Sequence, residues 1–230
     1  MAQPLFLDMN EKQVARVLQF GTIQSYPRET ILFKEGDRPD FLHLLIGGIA
    51  ELYKGESPHE CGLVLLTQGD VFMPAASLFD EPYLNSARTL TSATVLLLRA
   101  DVARQELTRC HQFAINVSRV LAGQFRMATR QIIDLKCRSA PQRLAAFLLR
   151  LIEESDIPEA AVLPVSKRHL ASRVGIAPET LSRTFQILAD NGLFVRGTKV
   201  LVRDREKIDE FCGPEPYPDP AETKLQVYAL

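Results

Sequence analysis

Apolar residues recur at helical spacing through residues 166–194, and glycine and proline interrupt them near the middle. The stretch SKRHLASRVGIAPETLSRTFQILADNGLF predicts one helix over about 167–173 and a second over about 178–191. Ala171 is small enough for the helices to cross closely, Gly175 supplies a permissive turn, and Pro178 suits a first helical turn. The pattern predicts a packed helix-turn-helix, whose apolar contacts are Leu170, Val174, Ile176, Leu181, Phe185 and Leu188.

The polar positions of the second helix form a short outward face. Glu179, Ser182 and Arg183 are spaced i, i+3 and i+4, which places them on one side of a helix. An acid, a hydroxyl and a guanidinium are groups that read base edges in a major groove. Glu179 could instead complement the helix dipole and Arg183 could be an ordinary solvated residue. We predict that the three side chains read DNA bases.

Two short β-type runs, at 193–195 and 199–202, flank Gly197 and predict a hairpin beside the second helix. With this hairpin, GIAPETLSRTFQIL resembles the winged helix of the CRP/FNR superfamily of bacterial transcription regulators. The E-x-x-S-R pattern of Glu179, Ser182 and Arg183 resembles its FNR-like branch. That resemblance implies a TTGA half-site in a palindrome such as TTGAT-N4-ATCAA, with RNA polymerase as a further partner. The expected phosphate neighbours are Lys167, Arg168, His169, Thr180, Arg196 and Lys199.

Apolar positions over residues 5–20 predict a short amphipathic helix at the start of the chain. Between residues 23 and 98 the hydrophobic period becomes strand-like, and Gly-Asp and Gly-Gly pairs mark the turns. Many short strands at this spacing predict a β-sandwich or barrel. Their order, with PRETILFKEGD upstream, resembles the double-stranded β-helix of cyclic-nucleotide-binding sensor domains. A cupin-like enzyme on such a barrel would need a histidine and glutamate metal cluster, and residues 60–98 contain no histidine. We therefore predict a sensor domain and no enzyme.

The nucleotide pocket of that family uses a Gly-Glu pair for the ribose and an Arg-Ser pair for the cyclic phosphate. Here Pro74 stands in place of the glutamate, and Asn85-Ser86 stands in place of Arg-Ser. Because an uncompensated phosphate in an apolar pocket is costly, we predict that cyclic AMP does not bind. Arg88 lies nearby in sequence, but the pattern leaves open which face of its strand it occupies.

Other cofactors are constrained by where cysteine and histidine occur. Oxygen-sensing relatives carry a cysteine group near the N-terminus, whereas the first cysteine here is Cys61, so an iron–sulfur cluster is not expected. The cysteines are scattered and indicate reduced thiols; they are Cys61, Cys110, Cys137 and Cys212. Haem stays open, with His43, His111 and His169 as the candidate ligands, and so does a regulator without an effector.

A long apolar stripe crosses residues 101–135 at intervals of three and four. Such a stripe is typical of helices that pair in a coiled coil, and a palindromic operator needs a two-fold protein. The alternative is a core helix lying on its own sensor domain. We predict a homodimer, in which the sensor biases the angle of the paired helices, with the contacts Val117, Leu121, Phe125, Ala128, Ile132 and Leu135.

These patterns divide the chain into four parts. We predict an α+β protein with a β-roll sensor over 1–100, a dimerisation helix over 101–136, a winged helix-turn-helix over 137–211 and a disordered Pro-rich tail over 212–230. Residues 136–141 interrupt the stripe and predict a hinge, followed by a helix over 142–154.

Composition adds little to this picture. The chain has 230 residues, is 46% hydrophobic and carries a net charge of −1. Its positive share falls in residues 136–211, with 13 basic and 10 acidic side chains, where DNA phosphates would be contacted. No apolar run is long enough for a membrane span, and the acidic N-terminus does not resemble a secretion signal, which predicts a cytoplasmic protein.

Overall fold

The computed structural model describes residues 3–56, 60–153, 155 and 157–213, without the side chains of Arg168 and Arg173. Across these residues the chain forms a β-rich N-terminal domain, a long helix and a helical C-terminal domain with a small sheet. This arrangement confirms the predicted α+β class. No helix in the described ranges combines the length and apolarity that a bilayer crossing requires.

The chain begins with two short helical pieces, where the sequence pattern predicted one helix over residues 5–20. A 3₁₀ turn spans Pro4–Phe6, and α1 spans Glu11–Leu18. Asn10 separates them because its side chain accepts from the Gln13 amide while the Gln13 side chain accepts from the Asn10 amide. This reciprocal capping box starts a new helix at Glu11, so the single-helix prediction was wrong.

Eight strands and one short helix follow and form a roll of two four-stranded sheets. They are β1 (Gly21–Tyr26), β2 (Ile31–Phe33), β3 (Phe41–Gly47), β4 (Ala50–Lys54), β5 (Cys61–Leu66), β6 (Val71–Phe72), α2 (Pro74–Phe79), β7 (Ser86–Thr89) and β8 (Ala93–Arg99). One sheet has the order β1-β8-β3-β6 and the other β2-β7-β4-β5, and all pairs are antiparallel.

Strand β3 is buried on both faces, which explains why its sequence FLHLLIG is apolar apart from His43. Leu42 and Leu44 point to the helices outside the roll, whereas Leu45 points to the roll interior. Side chains alternate along a strand, so His43 shares the interior face with Leu45. His43 therefore lies inside the sensor domain.

Two helices, not one, follow the roll. Helix α3 spans Ala100–Arg109, α4 spans His111–Cys137, and Cys110 between them has an extended backbone. The predicted continuous helix was therefore wrong at this position. The reason is tertiary, because Cys110 is buried in the same core as Ala103 of α3 and Phe113 of α4, and the break lets both helices pack there.

The two halves of α4 have different environments. Its first half packs on the sensor domain, where Val117 is 4% exposed and Asn116 donates to the carbonyl oxygens of Leu5 and Leu7. Val117 was predicted as a dimer contact, and it instead lies in the sensor core. The core-helix alternative thus holds for the first half of α4. In the second half, large apolar side chains are exposed, with Phe125 at 74%.

The C-terminal domain gathers its helices around one core. Its elements are α5 (Ala140–Glu153), β9 (Ala160–Val162), α6 (Lys167–Val174), α7 (Pro178–Asp190), β10 (Leu193–Arg196), β11 (Lys199–Val202) and α8 (Arg205–Cys212). The predicted hairpin is formed by β10 and β11, and β9 adds a third strand. The chain reverses after α7 at Gly192, where a Cβ would lie 2.7 Å from the Asp204 carbonyl oxygen, so a larger residue would not fit.

The predicted tail begins later than the sequence pattern indicated. Cys212 is the last residue of α8 and is buried, because the helix packs on α5 within the domain core. Residues 214–230, for which a disordered Pro-rich tail was predicted, lie outside the described residues.

Candidate nucleic-acid interface and sensor interior

Helices α6 and α7 form the predicted helix-turn-helix. Ser166 caps α6, with its Oγ accepting from the His169 amide. Gly175 ends the helix with φ +71°, a left-handed conformation that favours glycine. Fully or nearly fully buried apolar side chains hold α6 and α7 together within the domain core; they are Leu170, Ala171, Val174, Leu181 and Leu188.

The opposite side of α7 is solvent-facing. Glu179, Ser182 and Arg183 are all exposed, while Leu181 and Leu188 are buried on the other face. None of the three polar side chains forms a hydrogen bond or ion pair with another residue in the described parts of the chain. They stand in the first two turns of α7, where the backbone N–H groups and the positive end of the helix dipole also face outward.

The predicted phosphate neighbours flank this face on two sides. Arg196 and Lys199 are exposed and lie directly opposite each other across the β10–β11 hairpin. On the other side, the Lys167 Nζ lies 5.2 Å from the ring centroid of Phe185, and Thr180 is exposed at the start of α7. The side chain of Arg168 lies outside the described atoms.

His169 has a different neighbourhood from the other predicted phosphate contacts. Its Nδ1 lies 2.7 Å from Ser166 Oγ, and its ring borders a cavity of about 770 Å³ between the C-terminal domain and the sensor domain. The sensor residues around the cavity are Arg28, Glu29, Glu60 and Arg88. In this arrangement His169 faces the sensor domain.

The two domains also touch directly. The amide of Gly62 in β5 donates to Ser172 Oγ at 3.0 Å, and that hydroxyl donates to the Glu60 carbonyl oxygen at 3.3 Å. Leu65 and Leu90 of the sensor belong to the same apolar cluster as the C-terminal core. No sequence pattern predicts this contact, because nothing in the spacing of these residues relates β5 to α6.

Arg88 forms ion pairs with two acidic residues on the side of the roll that faces α6. Its guanidinium donates to Glu51 at 2.9 Å and to Glu60 at 2.8 Å, and it lies 4.3 Å from the ring centroid of Tyr53. Burial alone would lower the pKa of Arg88, but the hydrogen bonds to Glu60 and Glu51 raise it above its usual value. The charge is therefore already compensated by two carboxylates.

The interior positions that would hold a cyclic phosphate lack a cation. The Asn85 Nδ2 lies 3.6 Å from Met73 Sδ, and Ser86 Oγ accepts from the Glu35 amide. Pro74 opens α2, a helix of only six residues. An anionic ligand there would lose its hydration without gaining an opposite charge from Asn85, Ser86 or Arg88. These residues do not fit a cyclic nucleotide.

His43 lies among aromatic rings inside the roll. Its ring centroid is 5.3 Å from that of Phe33, 5.9 Å from that of Phe72 and 6.4 Å from that of Phe41. The Nδ1 atom has no hydrogen-bond partner among the described residues. Three aromatic rings therefore surround this imidazole. His111, at the start of α4, is exposed.

Burial lowers the pKa of His43 to about 4, although the backbone of Phe41 opposes the shift. An unfolded histidine has a pKa of about 6.5, so as the pH falls the unfolded chain takes up this proton first. The folded state should lose about 2 kcal/mol by pH 5 relative to pH 7 through this residue. Urea unfolding of the wild type and of His43→Leu at both pH values measures the difference. Parallel pH dependences of the two proteins would contradict this prediction.

The cysteines lie in four separate environments. Cys61 and Cys137 are exposed, whereas Cys110 is buried in the sensor core and Cys212 in the C-terminal core. Among the described residues, no three histidine, cysteine, aspartate or glutamate side chains come together as a metal-binding group. The cysteine arrangement does not match the cage that an iron–sulfur cluster requires.

Comparison with protein-family models matches both domains. A model described as a cyclic nucleotide-binding domain matches residues 23–110, and one described as a Crp-like helix-turn-helix domain matches residues 142–211. The cAMP-activated global transcriptional regulator CRP of Pasteurella multocida (strain Pm70) is 27% identical over 186 residues, which cover 78% of this chain and 88% of that protein.

Solved structures share the same architecture. A CooA mutant from Carboxydothermus hydrogenoformans gives a TM-score of 0.74 at 20% identity, covering 92% of this chain and 99% of that chain. FixK2 from Bradyrhizobium japonicum gives 0.73 at 22% identity, covering 84% and 98%. At these identities the likeness concerns the fold.

A sensor roll, a long helix and an exposed helix-turn-helix beside a β-hairpin together define a DNA-binding transcription regulator with a sensor domain. The chain belongs to the CRP/FNR superfamily of these regulators.

Proposed function

We propose that this protein is a homodimeric regulator that reads a TTGA-type palindrome with α7. The observation that carries the proposal is the exposed face of Glu179, Ser182 and Arg183 at the start of that helix. An α-helix fits the major groove with its N-terminal residues against the base edges. The E-x-x-S-R pattern places the required chemistry on that part of the helix.

Each side chain of the face has a distinct role in this proposal. Arg183 donates two hydrogen bonds to guanine O6 and N7, and Glu179 accepts from cytosine N4, since these are the geometries the major groove offers. Ser182 takes a neighbouring base edge or phosphate. Lys199 and Arg196 on the hairpin contact phosphates, as do Lys167, Arg168 and Thr180 on the helix side, and such contacts position the protein without reading sequence. His169, predicted from the sequence as a phosphate neighbour, faces the sensor domain and is left out of this set.

Dimerisation through the second half of α4 supplies the two-fold symmetry that a palindrome needs. Leu121, Phe125, Ala128, Ile132 and Leu135 follow one another at alternating intervals of four and three, the spacing of a coiled-coil seam. Phe125, Ile132 and Leu135 are 74%, 54% and 55% exposed in the single chain. A second copy of the same seam would bury them.

RNA polymerase is the further partner that we propose.

The sensor domain acts, in this proposal, without a cyclic nucleotide in its roll. The relative from Pasteurella multocida is named as cAMP-activated, but here Pro74 and Asn85 stand at the pocket and Arg88 is paired with two carboxylates. We propose instead that the state of the sensor reaches DNA binding through the angle of the paired α4 helices and through the contact of β5 with α6. An effector can shift this balance only by binding one arrangement better than the other.

Fluorescence anisotropy of the purified protein on a TTGAT-N4-ATCAA duplex tests the proposed function. The control duplex replaces each guanine, and both are measured at one salt concentration because phosphate contacts are strongly salt-dependent. We expect at least about a thirtyfold preference for the intact palindrome, since each of the two replaced pairs costs about 1–3 kcal/mol. Added cyclic AMP should leave the titration unchanged. Equal binding to both duplexes would contradict the proposal.

The contact between β5 and α6 predicts a measurable effect of Ser172→Ala. The substitution removes both hydrogen bonds of the hydroxyl, each worth about 0.5–1.5 kcal/mol. Hydrogen exchange at the Gly62 amide should become about tenfold faster. Ser118→Ala is the matched control, because its hydroxyl bonds only within α4, to the Ala114 carbonyl oxygen. Unchanged exchange at Gly62 would show that the hydroxyl does not hold the domains together.

A further inference from the structure

The junction between α4 and α5 contains a charge cluster in which a buried carboxylate, Asp134, lies beside three partly buried arginines, Arg138, Arg143 and Arg150. We refer to these four residues as the hinge cluster. Asp134 is 4% exposed, and its carboxylate accepts from Arg138 Nη1 at 2.6 Å and from Arg150 Nη2 at 2.9 Å. Asp134 belongs to α4 and Arg150 to α5, so this carboxylate ties the long helix to the first helix of the C-terminal domain.

Arg143 extends the tie to the helix-turn-helix. Its Nη1 donates to the Arg138 carbonyl oxygen at 2.9 Å, and its Nε and Nη2 donate to the Val174 carbonyl oxygen at 3.3 and 3.1 Å. Val174 is the last residue of α6, and the turn into α7 starts at Gly175. One planar guanidinium therefore connects the hinge backbone with the residue from which the direction of α7 is set.

Charge and the fixed shape of the guanidinium both restrict motion between the hinge and the end of α6. The carbonyl groups at the end of α6 carry partial negative charge and favour a nearby cation. A guanidinium presents its donors in a fixed fork, so three hydrogen bonds define the relative position of two backbone carbonyls. Separating α4 from α5 would leave the buried Asp134 carboxylate without the charge of Arg150. Because an uncompensated buried charge is costly, the cluster opposes this separation.

We propose that Arg143 and Asp134 are positioning residues that fix the direction of α7 relative to α4, and thereby the half-site spacing that the dimer accepts. This inference rests on the proposed reading of DNA by α7. In the dimer the paired α4 helices define the two-fold axis. The two α7 helices must then lie about one DNA turn, roughly 34 Å, apart. A loose hinge would let them reach half-sites at several spacings.

The test measures anisotropy of full-length protein on palindromes whose central spacer has three, four or five base pairs. One base pair rotates a half-site by about 34° and moves it by about 3.4 Å, so the wild type should lose about tenfold or more away from its preferred spacer. Arg143→Met should reduce this penalty to about threefold or less while keeping the discrimination of the guanine. Asp134→Asn should act in the same direction and decides the question if Arg143→Met does not fold.

Arg205→Met is the matched control, because it removes another partly exposed guanidinium of the C-terminal domain, one whose ion pairs lie within that domain. It contacts Glu153 at 2.8 Å and Asp209 at 2.9 Å, and neither residue belongs to α4. Its spacer profile should equal that of the wild type. A uniform loss of affinity in Arg143→Met, with an unchanged spacer profile, would overturn the positioning role.

A second readout separates this inference from the proposed function. Spin labels on cysteines placed at Ser118 of α4 and Gln186 of α7, with Cys61 and Cys137 replaced by serine, report the distance between the two helices without DNA. Labelled chains are mixed with an excess of unlabelled chains, so that each labelled dimer holds one label pair. Arg143→Met should broaden the distance distribution, and an unchanged distribution would overturn the inference. Absence of guanine discrimination by the wild type would contradict the proposed function instead, and the distances would still decide the role of Arg143.

Discussion

Replacing Arg183 by alanine is expected to weaken binding to the TTGA palindrome by about a hundredfold or more. One bidentate contact to guanine is worth about 1–3 kcal/mol, and the palindrome loses it in both half-sites. The substitution should leave folding intact, because the side chain is exposed and α7 is held by Leu181 and Leu188 on its other face. Anisotropy titration of the intact and guanine-replaced duplexes gives the comparison.

The pattern of loss distinguishes base reading from a general charge effect. Arg183→Ala should bind both duplexes with similar affinity, because the group that distinguishes guanine is gone. Arg196→Ala is the matched control, since it removes the same charge from the exposed hairpin. It should weaken binding to both duplexes equally and reduce the salt dependence by about two phosphate contacts, one in each half-site. An equal loss on both duplexes by Arg183→Ala would remove Arg183 from base reading.

Phe125→Glu is expected to convert the protein into a monomer. The Phe125 side chain is 74% exposed on α4, so a single chain of the Phe125→Glu variant should fold as well as the wild type. In a paired seam two copies of this side chain would be buried, a loss of about 3–6 kcal/mol of apolar burial before the repulsion of the carboxylates is counted. Sedimentation velocity should give a mass near the 25.8 kDa of one chain.

Operator binding should fall together with the dimer. Two linked half-sites gain about a hundredfold to ten-thousandfold in affinity over one, and the monomer loses this gain. Ile23→Glu is the matched control, because Ile23 is 67% exposed on β1, away from the α4 seam. It should change neither the mass nor the affinity. A Phe125→Glu protein that remains dimeric would place the interface elsewhere.

The sequence pattern predicted the structure correctly where an element depends mainly on residues close to it in the chain. The helix-turn-helix was predicted from Gly175, Pro178 and the apolar spacing of residues 170–188, and the structure forms it with ends that differ by only a residue. The outward position of Glu179, Ser182 and Arg183 follows directly from helical periodicity once the buried side is known. Their role in reading bases remains a prediction.

The sequence pattern did not predict features that depend on packing between elements distant in the chain. The break at Cys110 and the burial of Val117 depend on how α3 and α4 pack on the sensor sheet. An apolar stripe has the same helical periodicity whether it packs on its own domain or on a second copy of the chain. Asp134 and Arg138 are spaced i, i+4, a spacing that is equally common in ion pairs on the surface of a helix. Their burial with Arg150 arises only because α5 folds back onto the end of α4.

The sequence by itself determined the two domains, the helix-turn-helix and the chemistry of its exposed face, because helical and strand periodicities are local. The tertiary structure alone decided that Arg88 meets Glu51 and Glu60, that Ser172 contacts β5 and that Arg143 links the hinge to the turn before α7. These contacts join residues far apart in the chain. Their geometry depends on how whole elements pack, and no short sequence pattern records it.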